Sequence, residues 1–130
     1  MANDSERSVV IADDDDIARG FLKAALQSSG MRVVGESNNG RQALADFQRL
    51  KPDVICLDVE MPEMQGIEVL GKIRRESPNA IVFLISAFAT AQNVRSAMQL
   101  RADGIISKPY NKDKIMSEIQ RAFAKRHLRK

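Results

Sequence analysis

Short apolar runs recur five times along the chain, and each is rich in β-branched residues. The runs show no polar alternation, which is typical of strands covered on both faces, as in a parallel sheet. They are Val9–Ala12, Val33–Val34, Val54–Leu57, Ile81–Ile85 and Ile105–Ile106. The pattern therefore predicts five strands of a buried parallel sheet.

The segments between and after these runs carry apolar residues at helical spacing. Each segment has one apolar stripe, which predicts an amphipathic helix packed against the sheet. The stripes are clear in the first, second and fifth segments and weaker in the third and fourth. Their members are Ile17, Phe21, Leu22, Ala25 and Leu26; Ala43, Leu44, Phe47 and Leu50; Ile67, Leu70 and Ile73; Val94, Ala97 and Met98; and Ile115, Ile119 and Phe123. Asn111 is the predicted N-cap of the last helix.

Turn residues separate the predicted elements and give the order β-α five times over. Right-handed crossovers then produce a doubly wound α/β fold, with a five-stranded parallel sheet between two layers of helices. The expected strand order is 2-1-3-4-5. The chain has 130 residues, with 44% hydrophobic and 28% charged residues, which suits one soluble domain. We expect a disordered or extended segment at 1–7, the domain at 8–125, and a basic helix end or tail at 126–130.

The charge balance excludes some classes of function. A net charge of +3 is too small to predict direct nucleic-acid binding by the domain. Cys56 is the one cysteine, so no internal disulfide can form, and a reducing compartment is expected. The chain starts without the pattern of a signal peptide and has no apolar stretch of membrane-spanning length. These features predict a cytoplasmic protein that does not contact the membrane.

Polar residues stand where four of the predicted strands end. Asp13 and Asp14 follow the first run, Asp58 the third and Ser86 the fourth, and Lys108 lies two residues beyond the fifth. The carboxyl ends of parallel strands line one edge of a sheet, where doubly wound folds bind their ligands. The sequence therefore predicts that three carboxylates, a hydroxyl and an ammonium group converge.

Such a cluster favours phosphoryl chemistry assisted by a metal ion. Carboxylates in close quarters repel, so either their pKa values rise or a cation joins them. Oxygen ligands with open positions favour Mg²⁺, and Mn²⁺ is an alternative ion. A carboxylate held there can attack a phosphoryl group and form an acyl phosphate, while Lys108 and Ser86 help to neutralise charge.

The same residues form four sequence blocks: Asp13-Asp14, Asp58 to Gly66, Ser86-Ala87 and Lys108-Pro109. In this order and at these separations, the blocks resemble the signatures of response-regulator receiver domains, the CheY-like superfamily of two-component signalling. The resemblance implies a flavodoxin-like (βα)5 fold and a phosphoacceptor receiver of a two-component or phosphorelay system. It does not imply an enzyme that turns over an external substrate.

The resemblance also implies individual roles. Asp58 would be the phosphoacceptor, Lys108 would pair with the phosphoryl oxygens, and Ser86 would move to hydrogen-bond the phosphoryl group. The Lys108–Pro109 peptide bond would be cis and would aim Lys108 inward. The implied ligands of Mg²⁺ are Asp13, Asp14, Asp58 and the backbone carbonyl of Glu60.

One feature departs from the family pattern. Receivers often have an aromatic residue just after the glycine of the fifth strand, as a rotamer partner of the hydroxyl residue, but Gly104 is followed here by Ile105. Coupling would then use aliphatic repacking or loop movement. Glu60 and Phe88 lie two residues after Asp58 and Ser86, and we expect them to flank the phosphoryl group and set its lifetime.

The resemblance implies a sensor histidine kinase or a phosphotransfer protein as donor, and a downstream protein effector or a fused output domain as recipient of the signal. The output surface is expected on the fourth helix, fifth strand and fifth helix, a face that can also form a dimer. Its candidate contact residues are Gln92, Arg95, Ile105 and Lys112.

Three other functions compete with this interpretation. A phosphohydrolase of the haloacid-dehalogenase type also has a nucleophilic aspartate at a strand end, but its second aspartate is replaced here by Glu60. A nucleotide-binding domain is suggested by the glycine spacing of Gly35 to Gln42, although the phosphate-binding lysine is absent. The third is a pseudo-receiver that binds partners without phosphorylation.

Overall fold

The computed structural model describes residues 7–128, with side chains described as far as residue 125. Strands and helices alternate throughout this part of the chain. In order they are β1 (Ser8–Ala12), α1 (Asp16–Ser28), β2 (Arg32–Ser37), α2 (Gly40–Leu50), β3 (Val54–Asp58), α3 (Gly66–Glu76), β4 (Ile81–Ser86), α4 (Ala91–Gln99), β5 (Gly104–Ser107) and α5 (Lys112–Leu128). All ten predicted elements are present, and each predicted apolar run or stripe lies within its strand or helix.

The strands form one parallel sheet in the order β2-β1-β3-β4-β5, which confirms the predicted fold. Neighbouring strands end at nearly the same level. Ala12 is paired with Leu57, Asp58 with Ile85, and Ser86 with Ser107. The residues at and just beyond these ends therefore share one edge of the sheet.

Two apolar cores lie on the opposite faces of the sheet. Alternate residues of β1 point to opposite sides, so Val9 and Ile11 join one core while Val10 and Ala12 join the other. The first core contains residues of α1 and α5, and the second contains residues of α2, α3 and α4. All residues of β3 and β4 are buried, as their unbroken apolar runs predict.

β2 is longer than the Val33–Val34 run predicts. It spans Arg32–Ser37, and its residues alternate between exposed and partly buried positions until Ser37. β2 is an edge strand that pairs only with β1, so it tolerates Arg32 and Glu36 within the strand. Polar residues in an edge strand resemble a loop in sequence, so the apolar run alone predicts too short a strand.

The predicted stripes of α1 and α4 are only partly buried. Leu22, Ala25 and Leu26 pack into the core, but Ile17 is 84% exposed and Phe21 is 47% exposed. The first turn of α1 lies at the edge of the sheet, four residues after β1 ends, so the sheet does not cover it. Met98 of α4 is also exposed. The assignment of Ile17, Phe21 and Met98 to a buried face is therefore wrong.

Several smaller predictions concern single residues and the ends of the chain. The Asn111 side chain accepts a hydrogen bond of 2.8 Å from the backbone N–H of Lys114, which confirms it as an N-cap. Cys56 is buried, and burial raises the pKa of its thiol to about 12, so it behaves as a small apolar residue. Of the predicted N-terminal segment, 1–6 lies outside the described residues, while the Arg7 guanidinium stacks 4.1 Å from the Phe123 ring centroid.

α5 runs to Leu128 and so includes the first part of the basic segment 126–130, of which 129–130 lies outside the described residues. Among the helices described, none combines the length and the hydropathy required to cross a bilayer.

Candidate functional site

The carboxyl edge of the sheet brings four charged side chains together. Asp13 follows β1 and Asp58 ends β3, and both are almost fully buried, whereas Asp14 is exposed. One carboxylate oxygen from each of the three lies within 4.8 Å of the others. Lys108, just beyond β5, places its Nζ 3.2 Å from Asp13 Oδ2 and 3.2 Å from Asp58 Oδ2.

The β1–α1 loop holds Asp13 in place through its backbone and side chain. Its N–H donates to Ser37 O at 3.0 Å, and its Oδ1 accepts from the N–H of Asp15 at 2.9 Å. Asp15 in turn caps α1 by accepting from the N–H groups of Ile17 and Ala18. Among the described residues, Asp13 Oδ2 receives no hydrogen bond, although Lys108 Nζ is near. This oxygen is ion-paired with Lys108 and could also serve as a ligand of a divalent cation.

Asp58 is fixed by a close approach between β3 and the start of α3. A Cβ atom at Gly66 would collide with the backbone oxygen of Asp58, so only glycine fits there. The N–H of Gly66 donates to Val59 O at 2.9 Å, and the N–H of Glu60 donates to Asp58 Oδ1 at 3.1 Å. These contacts hold the carboxylate of Asp58 at the sheet edge.

The electrostatics of this cluster disfavour an ionised Asp58. Burial and then the nearby charge of Asp13 raise the pKa of Asp58 to about 6, against the opposing effects of Lys108 and the Glu60 N–H. Burial opposes the charge of Lys108, but the two carboxylates together outweigh it and raise its pKa. One ammonium group does not balance three carboxylates. An added divalent cation would correct the imbalance, and these oxygen ligands fit Mg²⁺.

Ser86 joins the cluster through Glu60 rather than through Asp58. Ser86 is fully buried, and its Oγ donates to Glu60 Oε2 at 3.0 Å. Glu60 Oε1 accepts from the N–H of Ala87 at 3.3 Å, and Ser86 Oγ accepts from the N–H of Phe88 at 3.0 Å. The sequence placed Glu60 and Ser86 near one another, but no pattern predicts this contact between their side chains.

The remaining predicted residues occupy different surroundings. The side chain of Phe88 is 67% exposed. Ile105 is partly buried and packs against the core beside α2, α3 and α4, opposite Leu84 in the sheet. The Lys108–Pro109 peptide bond is cis, and the N–H of Lys108 donates to Ser86 O at 2.8 Å. The β5–α5 connection is thereby tied to the end of β4.

Sequence reasoning missed Tyr110. Its hydroxyl is buried without a hydrogen-bond partner among the described residues, and burial raises its pKa to about 12. Its ring lies 5.7 Å from the ring of Phe21, centroid to centroid. Both rings line an open apolar cavity of about 560 Å³. Its other lining residues are Ile17, Ala18, Ala87, Lys108 and Pro109. The signal in the sequence that could place Tyr110 near the site is its position directly after Lys108-Pro109.

The glycine-rich segment suggested as a nucleotide site has a structural explanation. Gly35 lies within β2, where its position leaves room for Leu50, and Gly40 starts α2. Asn39 caps α2 by accepting from the N–H of Gln42 at 2.8 Å. The segment is the end of a strand, a turn and a helix cap.

Comparisons with known proteins agree with the fold. The family model described as "Response regulator receiver domain" matches residues 9–120. The chemotaxis protein CheY of Thermotoga maritima is 33% identical over 115 residues, which cover 88% of this chain and 96% of that protein. A methylesterase/glutaminase of Hahella chejuensis is 37% identical over 101 residues, but these cover only 29% of that longer protein.

A solved structure shows the same similarity. A chain of the CheX-CheY-BeF₃-Mg complex from Borrelia burgdorferi superposes with a TM-score of 0.87 at 28% identity, covering 90% of this chain and 89% of that one. Neither the phosphohydrolase nor the nucleotide-binding alternative is favoured by these matches. Fold, acidic cluster and relatives lead to one conclusion: the chain belongs to the response regulator receiver domain family.

Proposed function

We propose that Asp58 accepts a phosphoryl group from a phosphohistidine of a sensor kinase or phosphotransfer protein. The observation that carries the proposal is the position of Asp58, whose buried carboxylate is grouped with those of Asp13 and Asp14 and lies 3.2 Å from Lys108 Nζ. Receiver domains are signalling modules, so the reaction changes the state of the domain itself. In some relatives the receiver is part of a longer protein with an enzymatic name.

The reaction balances with the groups at this site. A carboxylate oxygen of Asp58 attacks phosphorus, the P–N bond of the phosphohistidine breaks, and the imidazole leaves and takes up a proton. The product is an acyl phosphate. Lys108 stays within reach of the transferred oxygens because its Nζ is already 3.2 Å from Asp58 Oδ2. Its charge favours the transition state, in which negative charge is spread over those oxygens.

The metal site of the proposal consists of Asp13, Asp14, Asp58 and the backbone carbonyl of Glu60. Bound Mg²⁺, or Mn²⁺ in its place, would neutralise negative charge during the transfer. Asp13 would contribute the oxygen that now receives no hydrogen bond, and the exposed Asp14 would leave one side open to solvent and to the donor.

The donor is proposed to dock beside the site, over the apolar cavity that contains Phe21 and Tyr110. The strongly exposed Ile17 and the half-exposed Phe21 border this cavity, and Lys108 lines it as well. A protein seated there would cover the apolar surface and reach Asp58. Ile17→Ser should slow transfer from a phosphorylated donor protein but not from acetyl phosphate, whereas Met98→Ser on α4 should slow neither. Equal effects of both variants would contradict this docking site.

The output is proposed to use the face formed by α4, β5 and α5. Phosphorylation shifts an equilibrium between two conformations because the new charge interacts differently with Ser86 and Lys108 in each. Ile105, in place of an aromatic residue, would repack with the movement. A downstream effector, a fused output domain or a second copy of the chain would bind there, and the expected contact residues are Gln92, Arg95, Ile105 and Lys112.

The phosphoryl group would be lost by slow hydrolysis, and Phe88 is proposed to limit the access of water to it. Phe88→Ala should then shorten the lifetime of the acyl phosphate. An unchanged hydrolysis rate would remove Phe88 from the mechanism.

The proposal as a whole is tested by incubating the protein with acetyl phosphate and following phosphoryl incorporation by intact mass. Wild type should gain one phosphoryl group with Mg²⁺ and none with excess chelator. Asp58→Asn should gain none under either condition, and Asp113→Asn, at an exposed position of α5, should behave as wild type. Incorporation that ignores the metal or survives in Asp58→Asn would contradict the proposal.

A further inference from the structure

The carboxylate of Glu60 accepts hydrogen bonds from two donors at the point where β4 leads into the β4–α4 loop. Glu60 Oε2 accepts from Ser86 Oγ at 3.0 Å, and Glu60 Oε1 accepts from the N–H of Ala87 at 3.3 Å. Both oxygens of one carboxylate are therefore engaged. The N–H of Glu60 itself binds Asp58 Oδ1, so the chain of contacts begins at the proposed phosphoacceptor.

A serine hydroxyl carries only one proton, which decides how this arrangement can respond to a second anion. While Ser86 donates to Glu60, it cannot donate to an oxygen of a phosphoryl group on Asp58. One of the two lone pairs of Ser86 Oγ accepts from the N–H of Phe88 at 3.0 Å. The hydroxyl must leave Glu60 before it can bind another acceptor.

We propose that Glu60 is an internal competitor of the phosphoryl group, and that its carboxylate holds Ser86 and Ala87 in the unphosphorylated arrangement until a phosphoryl group on Asp58 displaces it. The inference rests on the proposed function, because it takes Asp58 as the phosphorylated residue. Glu60 acts through Ser86 and the start of the β4–α4 loop, so it is a positioning residue.

The competition has a consequence for the β4–α4 loop. Ser86 Oγ and the N–H of Ala87 donate to Glu60, and the N–H of Phe88 donates to Ser86 Oγ. The side chain of Asn93 in α4 donates to Phe88 O at 2.9 Å. Release of the carboxylate therefore frees the loop where it joins α4. The state of Asp58 thus reaches α4 through the loss of a contact to Glu60 as well as through a new contact to Ser86.

The test uses beryllofluoride with Mg²⁺, a tetrahedral stand-in for a phosphoryl group that requires no donor protein. Removing the competitor in Glu60→Ala should tighten its apparent affinity about tenfold, the factor that one net hydrogen bond to a charged group accounts for. In a Ser86→Ala background, the same Glu60→Ala change should tighten binding less than about threefold, because the shared hydroxyl is gone. Glu63→Ala is the matched control, since it removes an exposed glutamate of the same loop, paired with Arg41. It should leave the affinity unchanged.

A second readout does not depend on affinity. Without ligand, the amide resonance of Phe88 in Glu60→Ala should move toward its position in beryllofluoride-bound wild type, because its acceptor Ser86 Oγ is released. An unchanged affinity in Glu60→Ala, a tenfold effect that persists in the Ser86→Ala background, or a Phe88 amide that stays in place would each overturn the competition. Failure of wild type to bind beryllofluoride at all would instead overturn the proposed function, and the competition with it.

Discussion

The ammonium group of Lys108 lies 3.2 Å from Oδ2 of Asp58, although the two residues are fifty positions apart in the chain. The contact exists because β3 and β5 both end at the same edge of the sheet, on either side of β4. Lys108 also contacts Asp13, so its ammonium group pairs with the carboxylate that follows β1 and with the one that ends β3. This arrangement connects the fold to the proposed chemistry.

Removing the ammonium group should slow phosphorylation strongly. We expect Lys108→Met to lower the initial rate of phosphorylation by acetyl phosphate about 100-fold, the usual effect of losing one group that stabilises charge in a transition state. Lys112→Met is the matched control, because Lys112 is an exposed lysine at the start of α5, and its rate should stay within about twofold of wild type. A Lys108→Met rate close to wild type would show that the contact with Asp58 has no part in the transfer.

The raised pKa of Asp58 predicts how stability depends on pH when no metal is present. The folded protein holds the Asp58 proton up to about pH 6, above the ordinary value of 3.8, so folding stability is lost as the pH rises between these values. Asp58→Asn carries no charge at any pH and avoids this loss. Relative to wild type, the variant should gain about 2 kcal/mol of stability as the pH rises from 4 to about 7.5.

Urea unfolding of both proteins at these two pH values, with chelator present, measures this gain. Groups that do not interact with Asp58 titrate alike in both proteins and cancel in the comparison. A stability difference that is the same at both pH values would show that ionisation of Asp58 does not destabilise the folded protein.

Metal binding should stabilise the fold through the acidic cluster. Mg²⁺ at about 100 times its Kd should stabilise the native state by about 2.7 kcal/mol, since only the folded chain gathers the three carboxylates. We expect Asp14→Asn to lose most of the increase in Tm caused by Mg²⁺. Asp16→Asn, at an exposed position that pairs with Arg19 rather than with the cluster, should keep it. An equal increase in both variants would place the metal elsewhere.

Arg74 is predicted to be the main polar support of the fold away from the site. It is buried, and its guanidinium donates to Ala80 O at 2.6 Å, to Arg101 O at 2.7 Å and to Asp103 Oδ2 at 3.0 Å. Arg74→Met should cost about 3–5 kcal/mol, because it removes one member of a buried ion pair and the donors to several backbone oxygens. Arg75→Met changes an exposed neighbour and should cost less than about 0.5 kcal/mol in the same unfolding experiment. Similar costs for the two variants would contradict the structural role of Arg74.

Some features of this fold follow directly from sequence patterns. β1, β3 and β4 are continuous apolar runs, and such runs arise when both faces of a strand are covered. The polar residues that follow the strand runs could therefore be placed at one edge. Asp13 beyond β1, Asp58 at the end of β3 and Lys108 beyond β5 do meet there.

Other features could not be predicted from pattern because they depend on distant parts of the chain. Arg74 resembles a surface residue in sequence, since its partners are mostly backbone oxygens of remote loops. Ile17 belongs to an apolar stripe, but periodicity does not show where the covering sheet ends. The contact of Glu60 with Ser86 depends on side-chain conformation, and residue spacing carries no information about it.

The most direct test of the central claim is to identify the residue that carries the phosphoryl group. After incubation with acetyl phosphate and Mg²⁺, borohydride reduces an acyl phosphate and converts the modified aspartate to homoserine, which peptide mass mapping locates. We expect homoserine at position 58 only, and none when chelator replaces Mg²⁺. Homoserine at Asp13 or Asp14, or the absence of any reduced residue in a protein that binds Mg²⁺, would contradict it.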